Sequence, residues 1–322
     1  MKIATRVFHR FQEFGGIRLV KEYARIGLLP LCCKEMVAIL MRRKEPMEAY
    51  ANIMERVGLA LQQRFQPVLN SLDEKYCKKR KEGTHSNKVW TCWLQGMENA
   101  PLLVKVCYDA LLRNMEGREV ILLTEKTIKD YVCLPEFIEE KHRKGIIPMS
   151  HYTDLLRLEL LIKYGGTWID ATVLCTGGDF PKEMLDSDLF VFQRIEKGRN
   201  GFLGLSNWFI TSCSESRVLM ILRDMLYQYW RDYDCVVHFY IFHLFFRMMM
   251  EKHPEVAARI PKYGNRIPHY LSRRMGDKYD NEWMEELKKR TCFHKLSYRL
   301  KDGVEESKGT FYEVVIANDR LR

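Results

Sequence analysis

The amino-acid sequence predicts an α/β fold in which a mainly parallel sheet is flanked by helices, with a helical region in front of it. The first 80 residues have helical patterning, interrupted at Gly15-Gly16 and at Pro30. From Lys88 onwards, short runs rich in β-branched and aromatic residues alternate with longer amphipathic stretches. Such alternation is typical of an α/β domain with a mainly parallel sheet.

The order of the predicted elements supports this class. Strands are predicted over 89–94, 119–124, 167–173, 189–192 and 310–316. Helices are predicted over 101–114, 127–131, 150–164, 215–230, 235–251 and 281–290, where apolar residues recur at helical spacing. We therefore expect a basic helical N-terminal region over 1–84 and an α/β domain over 85–322.

The segment 150–173 has the most informative pattern in the chain. Apolar residues recur at helical spacing after Ser150, whose hydroxyl suits a helix N-cap. Gly165 and Gly166 predict the end of this helix because glycine adopts the left-handed conformation of a C-terminal cap. After the glycines the apolar period changes to two, which predicts a strand with Asp170 near its carboxyl end.

Four polar side chains interrupt this otherwise apolar segment. Asp154 and Arg157 are three residues apart, so they are neighbours on one helix surface. Asp170 and Thr172 share a strand face near the carboxyl end, where open α/β sheets bind ligands. A surface ion pair and a turn-forming aspartate would explain each feature alone. Because unpaired polar groups are costly to bury, the combination favours a functional site.

The spacing of these residues resembles a family signature. Asp154-x-x-Arg157, Tyr164-Gly-Gly and Asp170-x-Thr172 resemble the Asp-x-x-Arg, Tyr-Gly-Gly and Asp-x-Asp pattern of sugar-nucleotide glycosyltransferases. These enzymes, including the family 32-like sugar transferases, have the Rossmann-like GT-A fold. The resemblance covers most of the chain and is greatest for capsular polysaccharide synthesis proteins, which often end the pattern as Asp-x-Thr. It implies retaining transfer of a sugar from a nucleotide sugar to a saccharide acceptor in capsule or other surface polysaccharide synthesis.

The resemblance also implies a divalent cation, Mn²⁺ or Mg²⁺, beside the donor diphosphate. Negative charge grows on the leaving diphosphate as the sugar bond breaks, and a cation can neutralise it. Asp170 is the expected ligand because both ions prefer oxygen, with His294 as a further ligand and Lys295 as a phosphate contact. Thr172 stands where many families have a second carboxylate, which weakens the expected metal site.

Further residues are expected to bind the donor and the acceptor. Asp154 and Arg157 match positions that hydrogen-bond the donor sugar in the resembling families, and with Asp170 they form the expected catalytic set. Trp93 follows the first strand and is expected to stack on the nucleotide base, with a UDP-sugar favoured over a GDP-sugar. By position in those families, the acceptor side is expected at Asn207, Trp208, Asp234 and His238.

The net charge of +10 is concentrated near the N-terminus. Residues 1–80 hold sixteen Lys and Arg against eight Asp and Glu, a net charge of +8, and +10 less +8 leaves +2 for the remainder. Apolar residues are interleaved with these charges, which is typical of a helix at an anionic membrane surface. A helical appendage packed on the main domain explains the pattern equally well. Nucleic-acid binding is disfavoured because no recognised motif accompanies the charge.

Hydropathy and cysteine usage bear on the compartment. The sequence has no uninterrupted run of about 18 apolar residues, the length expected of a transmembrane helix. The first six residues lack the apolar core of a secretory signal. Ten cysteines without a Cys-x-x-Cys pair favour free thiols over a zinc or redox site. We expect a cytoplasmic protein at the inner face of the membrane, acting on an acceptor that is lipid-linked.

Two other functional classes remain open. A non-catalytic membrane- or nucleic-acid-associated module could keep this fold, although it would not need Asp154, Arg157 and Asp170 at their present spacing. Another nucleotide-binding α/β transferase, such as a nucleotidyltransferase, is also compatible with the pattern. Kinase and NTPase chemistry is disfavoured because the sequence lacks a glycine-rich phosphate loop.

Overall fold

The computed structural model describes residues 15–77, 83–193 and 204–318. Within these ranges the helices are α1 (Ile17–Arg25), α2 (Leu29–Leu40), α3 (Pro46–Cys77), α4 (Leu102–Asn114), α5 (Ile128–Tyr131), α6 (Glu136–Arg143), α7 (Met149–Tyr164), α8 (Glu183–Asp186), α9 (Arg217–Asp232), α10 (Ile241–Lys252), α11 (Pro254–Arg259), α12 (Tyr270–Arg273) and α13 (Asn281–Arg290). The strands are β1 (Lys88–Cys92), β2 (Glu119–Leu123), β3 (Gly166–Ile169), β4 (Val173–Cys175), β5 (Leu189–Gln193), β6 (Leu205–Ser212) and β7 (Phe293–Lys295).

The chain divides into two compact units, each built from several segments. Of the described residues, the first unit takes 15–77, 134–156 and 217–252, and the second takes the rest. The predicted boundary between an N-terminal region and an α/β domain at residue 84 stays a prediction. The two compact units are not divided there, because the first unit also includes 134–156 and 217–252. Parts of the predicted basic region, at 1–14 and 78–82, lie outside the described residues.

The first unit is helical, and its core forms around α3. Buried side chains recur on one face of that helix at Val57, Leu61, Phe65 and Leu69. The Phe65 ring lies 4.6 Å from the ring of Phe245 on α10. The helical N-terminal region is therefore confirmed where it is described. None of the described helices is both long and apolar enough to span a membrane.

The second unit is built on a five-stranded sheet with the order β2-β1-β3-β6-β5. β1 pairs in parallel with both β2 and β3, and helices connect these three strands along the chain. β6 and β5 complete the sheet in antiparallel pairings. The α/β class with a mostly parallel central sheet flanked by helices is confirmed. β6, which separates β3 from β5, is a strand that we did not predict.

Two glycines end α7 and allow β3 to approach β1 closely in the sheet. Gly165 and Gly166 have φ values of 68° and 93°, in the left-handed region that favours glycine. A Cβ on Gly166 would lie 2.3 Å from the carbonyl oxygen of Lys88, so a side chain does not fit there. The helix end predicted from these glycines is confirmed.

The strand predicted to continue through Val173 is interrupted at Asp170. β3 ends at Ile169, and the Val173 amide donates to the Asp170 carbonyl at 2.9 Å, which closes a tight turn. β4 then pairs antiparallel with β7 in a second, two-stranded sheet. The prediction of one strand was wrong because the period of two continues across a turn that changes sheet partners.

The prediction of a strand over 310–316 is also wrong. Tyr312–Ala317 forms a π-helical turn. Phe311, Tyr312, Val315 and Ile316 are buried in one apolar cluster, and their spacing follows a helical face, not an alternating one. The β-branched residues favour a strand locally, but packing of this face decides the structure.

Two predicted helix starts shift in the structure. Ser150 lies inside the first turn of α7, and the amides of His151 and Tyr152 donate to the Pro148 carbonyl at 3.0 and 2.9 Å. The helix predicted from residue 235 begins at Ile241. The first shift leaves Asp154 and Arg157 on α7, whereas the second places His238 in the loop before α10 instead of within that helix.

Candidate active site

Asp170 lies at the edge of the central sheet where the parallel strands end. It directly follows β3, and Trp93 directly follows the neighbouring parallel strand β1. The Trp93 amide donates to the Leu123 carbonyl at 3.0 Å, which continues the β1–β2 pairing to this edge. Carboxyl ends of parallel strands are where open α/β sheets bind ligands. The predicted position of Asp170 at a strand end is confirmed.

Three side chains bind both oxygens of the Asp170 carboxylate. The Lys295 Nζ lies 2.8 Å from Oδ2. Arg157 Nη2 lies 3.3 Å from Oδ1, and Trp168 Nε1 donates to the same oxygen at 2.8 Å. We call Asp170, Arg157, Lys295 and Trp168 the Asp170 cluster. Its formal charge is +1, since two cations surround one anion.

The Asp170 cluster keeps its carboxylate ionised. Burial raises the pKa of Asp170, but the charges of Lys295 and Arg157 and the hydrogen bonds from Lys295 and Trp168 lower it by more. The net result is a pKa below the ordinary value of an aspartate. Asp170 is therefore an anion at neutral pH and attracts both cations.

Arg157 is fixed by its surroundings as well as by charge. Its side chain is 5% exposed, and the guanidinium carbon lies 5.0 Å from the centre of the Trp168 ring. A planar guanidinium stacks on an aromatic ring while its edge donates hydrogen bonds. Asp154 lies one helical turn earlier on α7 and is also buried. The expected common placement of Asp154 and Arg157 on one helix is confirmed.

Lys295 contacts both polar positions of the Asp-x-Thr pattern. Its Nζ lies 2.7 Å from Thr172 Oγ1 as well as 2.8 Å from Asp170 Oδ2. The pairing of β4 with β7 sets Lys295 opposite Val173, and the Leu296 amide donates to the Thr172 carbonyl at 2.9 Å. Backbone pairing thus brings a C-terminal lysine to the turn after β3.

The donor set of this site does not fit a divalent cation. Asp170 is the one carboxylate of the Asp170 cluster, and both its oxygens already bind cations or an indole. Thr172 Oγ1 binds the same ammonium. No group of three or more His, Cys, Asp or Glu able to hold a metal occurs in the described part of the chain. Mg²⁺ and Mn²⁺ prefer several oxygen ligands, and the Asp170 cluster offers one carboxylate.

His294 lies on the opposite face of β7 from Lys295, as adjacent strand residues do. Its Nε2 lies 3.2 Å from Thr176 Oγ1, and the side chain is fully buried. Its Nδ1 has no hydrogen-bond partner among the residues that the structure describes. Burial, with a smaller contribution from Lys288, lowers the pKa of His294 to about 3. The structure therefore does not bring His294 to Asp170, contrary to the expected shared metal site.

An aromatic pair lies on the second unit beyond β1 and β7. The rings of Trp93 and Tyr298 meet edge to face, with centroids 5.4 Å apart. Trp93 is half-buried and Tyr298 is 40% exposed, so both rings retain accessible surface. Such a pair offers a π-face on which a base can stack.

The backbone of Trp208, and not its side chain, contacts Asp170. The Asp170 amide donates to the Trp208 carbonyl at 2.9 Å. The Trp208 ring stacks on Phe192 with centroids 4.7 Å apart, and its Nε1 donates to Asn265 at 3.0 Å. The side chain is buried in the apolar core, so it offers no surface for a saccharide. Asn207, the preceding residue, is half-buried on β6.

The other two expected acceptor residues belong to the first unit. Asp234 forms an ion pair of 2.7 Å with Lys141. His238 is buried, and its Nδ1 accepts a hydrogen bond from the Tyr240 amide at 3.1 Å. Burial lowers the pKa of His238 to about 4. Nothing in these contacts supports an acceptor role for either residue.

We did not assign a role to Trp168 or Tyr298 from the sequence. The signal for Trp168 was present, since it shares a strand face with Asp170 two residues later. Tyr298 follows Lys295 by three residues, but its contact with Trp93 depends on a chain segment 205 residues away in the sequence. No local pattern could have revealed that contact.

Comparison with known proteins identifies the family. Residues 42–315 match the capsular polysaccharide synthesis protein family. No curated protein matches the chain. A solved structure described as PaToxG Glycosyltransferase is 14% identical, with a TM-score of 0.36, over 62% of this chain and 80% of its own. A likeness this distant bears on neither fold nor function. Because the family match spans most of its length, the chain belongs to the capsular polysaccharide synthesis family.

Proposed function

We propose that this protein is a glycosyltransferase that moves a sugar from a nucleotide sugar to a saccharide acceptor in capsule or other surface polysaccharide synthesis. The observation that carries this proposal is the Asp170 cluster, in which Lys295 and Arg157 flank one carboxylate at the ligand-binding edge of the sheet. Membership of the capsular polysaccharide synthesis family supports the same acceptor class. A diphosphate is the ligand that two adjacent cations suit best.

The donor diphosphate binds at the positive side of the Asp170 cluster. Lys295 and Arg157 together exceed the charge of Asp170 by one, so an anionic ligand completes the charge balance. Asp170 orients both cations before the donor arrives, which reduces the cost of ordering them. The diphosphate oxygens then share the Lys295 ammonium with Asp170 and Thr172.

The sugar and the base contact different residues. Arg157, with Asp154 one turn away on α7, hydrogen-bonds the sugar hydroxyls. The base stacks at Trp93 and Tyr298, whose edge-to-face rings form one aromatic corner. We favour a UDP-sugar over a GDP-sugar as the donor.

The transfer retains the anomeric configuration. The bond from the anomeric carbon to the diphosphate oxygen breaks, and its electron pair stays on that oxygen. The acceptor hydroxyl oxygen forms the new bond on the same face, and its proton passes to the departing diphosphate. This route needs no carboxylate base beside the acceptor. Lys295 and Arg157 stabilise the negative charge as it grows on the leaving group.

The first unit contacts the inner membrane surface, where a lipid-linked acceptor would be available. Four apolar residues at the end of α2 are each more than half exposed, namely Met36, Val37, Leu40 and Met41. Exposed basic residues flank them, namely Lys34, Arg42 and Arg43. An apolar stripe with basic neighbours matches the chemistry of an anionic lipid surface. We call these seven residues the α2 surface.

A donor screen tests the proposal. UDP- and GDP-sugars are incubated with the protein. Three quantities are measured: the release of nucleoside diphosphate, the release of pyrophosphate, and the shift in melting temperature. We expect release of a nucleoside diphosphate and a rise in melting temperature of about 5 °C near saturation, because the ligand binds the native state. Release of pyrophosphate would instead identify a nucleotidyltransferase, and no release with any donor would contradict the proposal.

A further inference from the structure

We propose that Lys295 takes the place of the divalent cation in the Asp-x-Asp pattern, so that the transfer proceeds without a metal. This inference rests on the proposed function and specifies how the leaving diphosphate is neutralised. It departs from the metal-assisted transfer that the pattern implies.

The Lys295 ammonium group lies between the two polar side chains of the Asp-x-Thr pattern. Lys295 Nζ bridges Asp170 Oδ2 and Thr172 Oγ1 at 2.8 and 2.7 Å, the two side chains that stand at the ends of the pattern. A cation shared by these two oxygens would have to lie between them. The ammonium already lies there and makes two charge-assisted hydrogen bonds.

The charges around Asp170 also disfavour a divalent ion. Arg157 and Trp168 bind the remaining oxygen of Asp170, so both carboxylate oxygens already have hydrogen-bond donors as partners. A divalent ion would also be repelled by two neighbouring cations around one anion. Thr172 adds a neutral hydroxyl where the Asp-x-Asp pattern has a second negative charge. The site therefore lacks the anion that would offset repulsion between a divalent ion and the two cations.

Strand pairing holds the Lys295 ammonium in a fixed position. β7 pairs with β4, and two further backbone hydrogen bonds extend that pairing at its ends. The Thr176 amide donates to the Cys292 carbonyl, and the Leu296 amide donates to the Thr172 carbonyl, each at 2.9 Å. The side chain of Lys295 is 19% exposed, so its stem is packed. A strand-borne lysine with a packed stem is preorganised for a charge that develops during the reaction.

Lys295 remains protonated throughout the transfer. When the anomeric carbon–oxygen bond breaks, the leaving diphosphate gains the electron pair and accepts hydrogen bonds from the Lys295 ammonium and the Arg157 guanidinium. The acceptor proton ends on the diphosphate. Two monovalent cations thus supply the charge that one divalent ion supplies elsewhere.

Turnover with and without metal is the first test. Nucleoside diphosphate release from the best donor is measured in excess EDTA and in added Mn²⁺, for the wild-type protein, Lys295→Met and Lys289→Met. Lys289 is an exposed lysine on α13 and serves as the control. We expect wild-type rates within about twofold in the two conditions, and a loss of about 100-fold in Lys295→Met only. Loss of wild-type turnover in EDTA with recovery in Mn²⁺ would overturn the inference.

A titration of the protein alone separates this inference from the proposed function. Mn²⁺ binding is followed by electron paramagnetic resonance in wild-type protein and Asp170→Asn, with no donor present. We expect the two proteins to bind Mn²⁺ equally weakly, because the site does not accept the ion. Tight binding by the wild type that Asp170→Asn abolishes would refute the role of Lys295 even if no sugar in the screen is transferred.

Discussion

The ammonium group of Lys295 lies 2.8 Å from a carboxylate oxygen of Asp170, although 125 residues separate the two along the chain. The contact depends on β7, which pairs with β4 immediately after the Asp170 turn. A C-terminal strand is therefore part of the candidate active site. The effects of substitutions at Lys295 and Asp170 should therefore not be additive.

A double-mutant cycle tests that coupling. We expect Lys295→Met and Asp170→Asn each to lower the free energy of unfolding, and the double variant to lose less than the sum, because either single variant already removes the Lys295–Asp170 ion pair. Urea unfolding of the four proteins measures the interaction. Strict additivity would show that the contact does not contribute to stability in solution.

Replacement of Arg157 by lysine tests whether its shape matters beyond its charge. The guanidinium stacks on Trp168 while binding Asp170, and an ammonium cannot make both contacts. We expect Arg157→Lys to lower kcat/KM for the donor by about tenfold, a typical effect of one lost interaction. Arg259→Lys, at an exposed position on α11, is the control. Equal activity in the two variants would rule out a specific role.

His294 predicts a pH dependence of stability. Burial holds its folded pKa at about 3, below the 6.5 of an exposed histidine, so only the unfolded state gains a proton between those values. Stability is therefore lost as the pH falls below 6.5. Compared with His294→Asn, we expect the wild-type free energy of unfolding to fall more steeply between pH 6 and 4, by about 1 kcal/mol per pH unit.

Urea midpoints measured at several pH values check this prediction. The comparison with His294→Asn isolates one side chain, since the buried His238 and His269, whose pKa values are each lowered to about 4, remain in both proteins. Parallel pH profiles for the two proteins would mean that His294 is protonated or exposed in the native state.

The aromatic corner predicts a binding effect that depends on the ring. We expect Trp93→Ala to weaken UDP binding by about tenfold and Trp93→Phe to retain most of it, because stacking requires a π-face. Isothermal titration calorimetry measures both dissociation constants. If alanine and phenylalanine variants bind UDP like the wild type, the base does not stack at Trp93.

The α2 surface predicts salt-dependent binding to anionic vesicles. We expect Leu40→Asp to weaken sedimentation with phosphatidylglycerol vesicles strongly, because it removes an exposed apolar contact and adds a negative charge. Leu112→Asp, at an exposed leucine on α4, should have no effect. Wild-type binding should decline as salt rises. Binding that is absent or indifferent to salt would favour a solvated basic face.

Local signals in the sequence predicted the main elements of the site. The two glycines after Tyr164 defined a helix end, and the alternation after them placed Asp170 at the carboxyl end of a strand. Both features depend on backbone conformation and side-chain period, which neighbouring residues determine.

Contacts between distant segments were not predictable in the same way. Lys295 was expected to contact phosphate, but nothing near it in the sequence indicates that it binds Asp170 and Thr172. His294 was expected near Asp170 as a further metal ligand, but alternation along β7, a strand that the sequence did not predict, directs His294 and Lys295 to opposite faces. The turn at 312–317 formed because packing of a helical face outweighed local strand propensity.

Donor turnover by Asp170→Asn, compared with Asp302→Asn, determines whether Asp170 is required for sugar transfer. Asp302 is exposed in the same unit and serves as a matched control. With the best nucleotide sugar from the screen, we predict that Asp170→Asn releases nucleoside diphosphate at least about 100-fold more slowly than the wild type while remaining folded. Asp302→Asn should match the wild type. Wild-type turnover in a folded Asp170→Asn protein would contradict the proposed site.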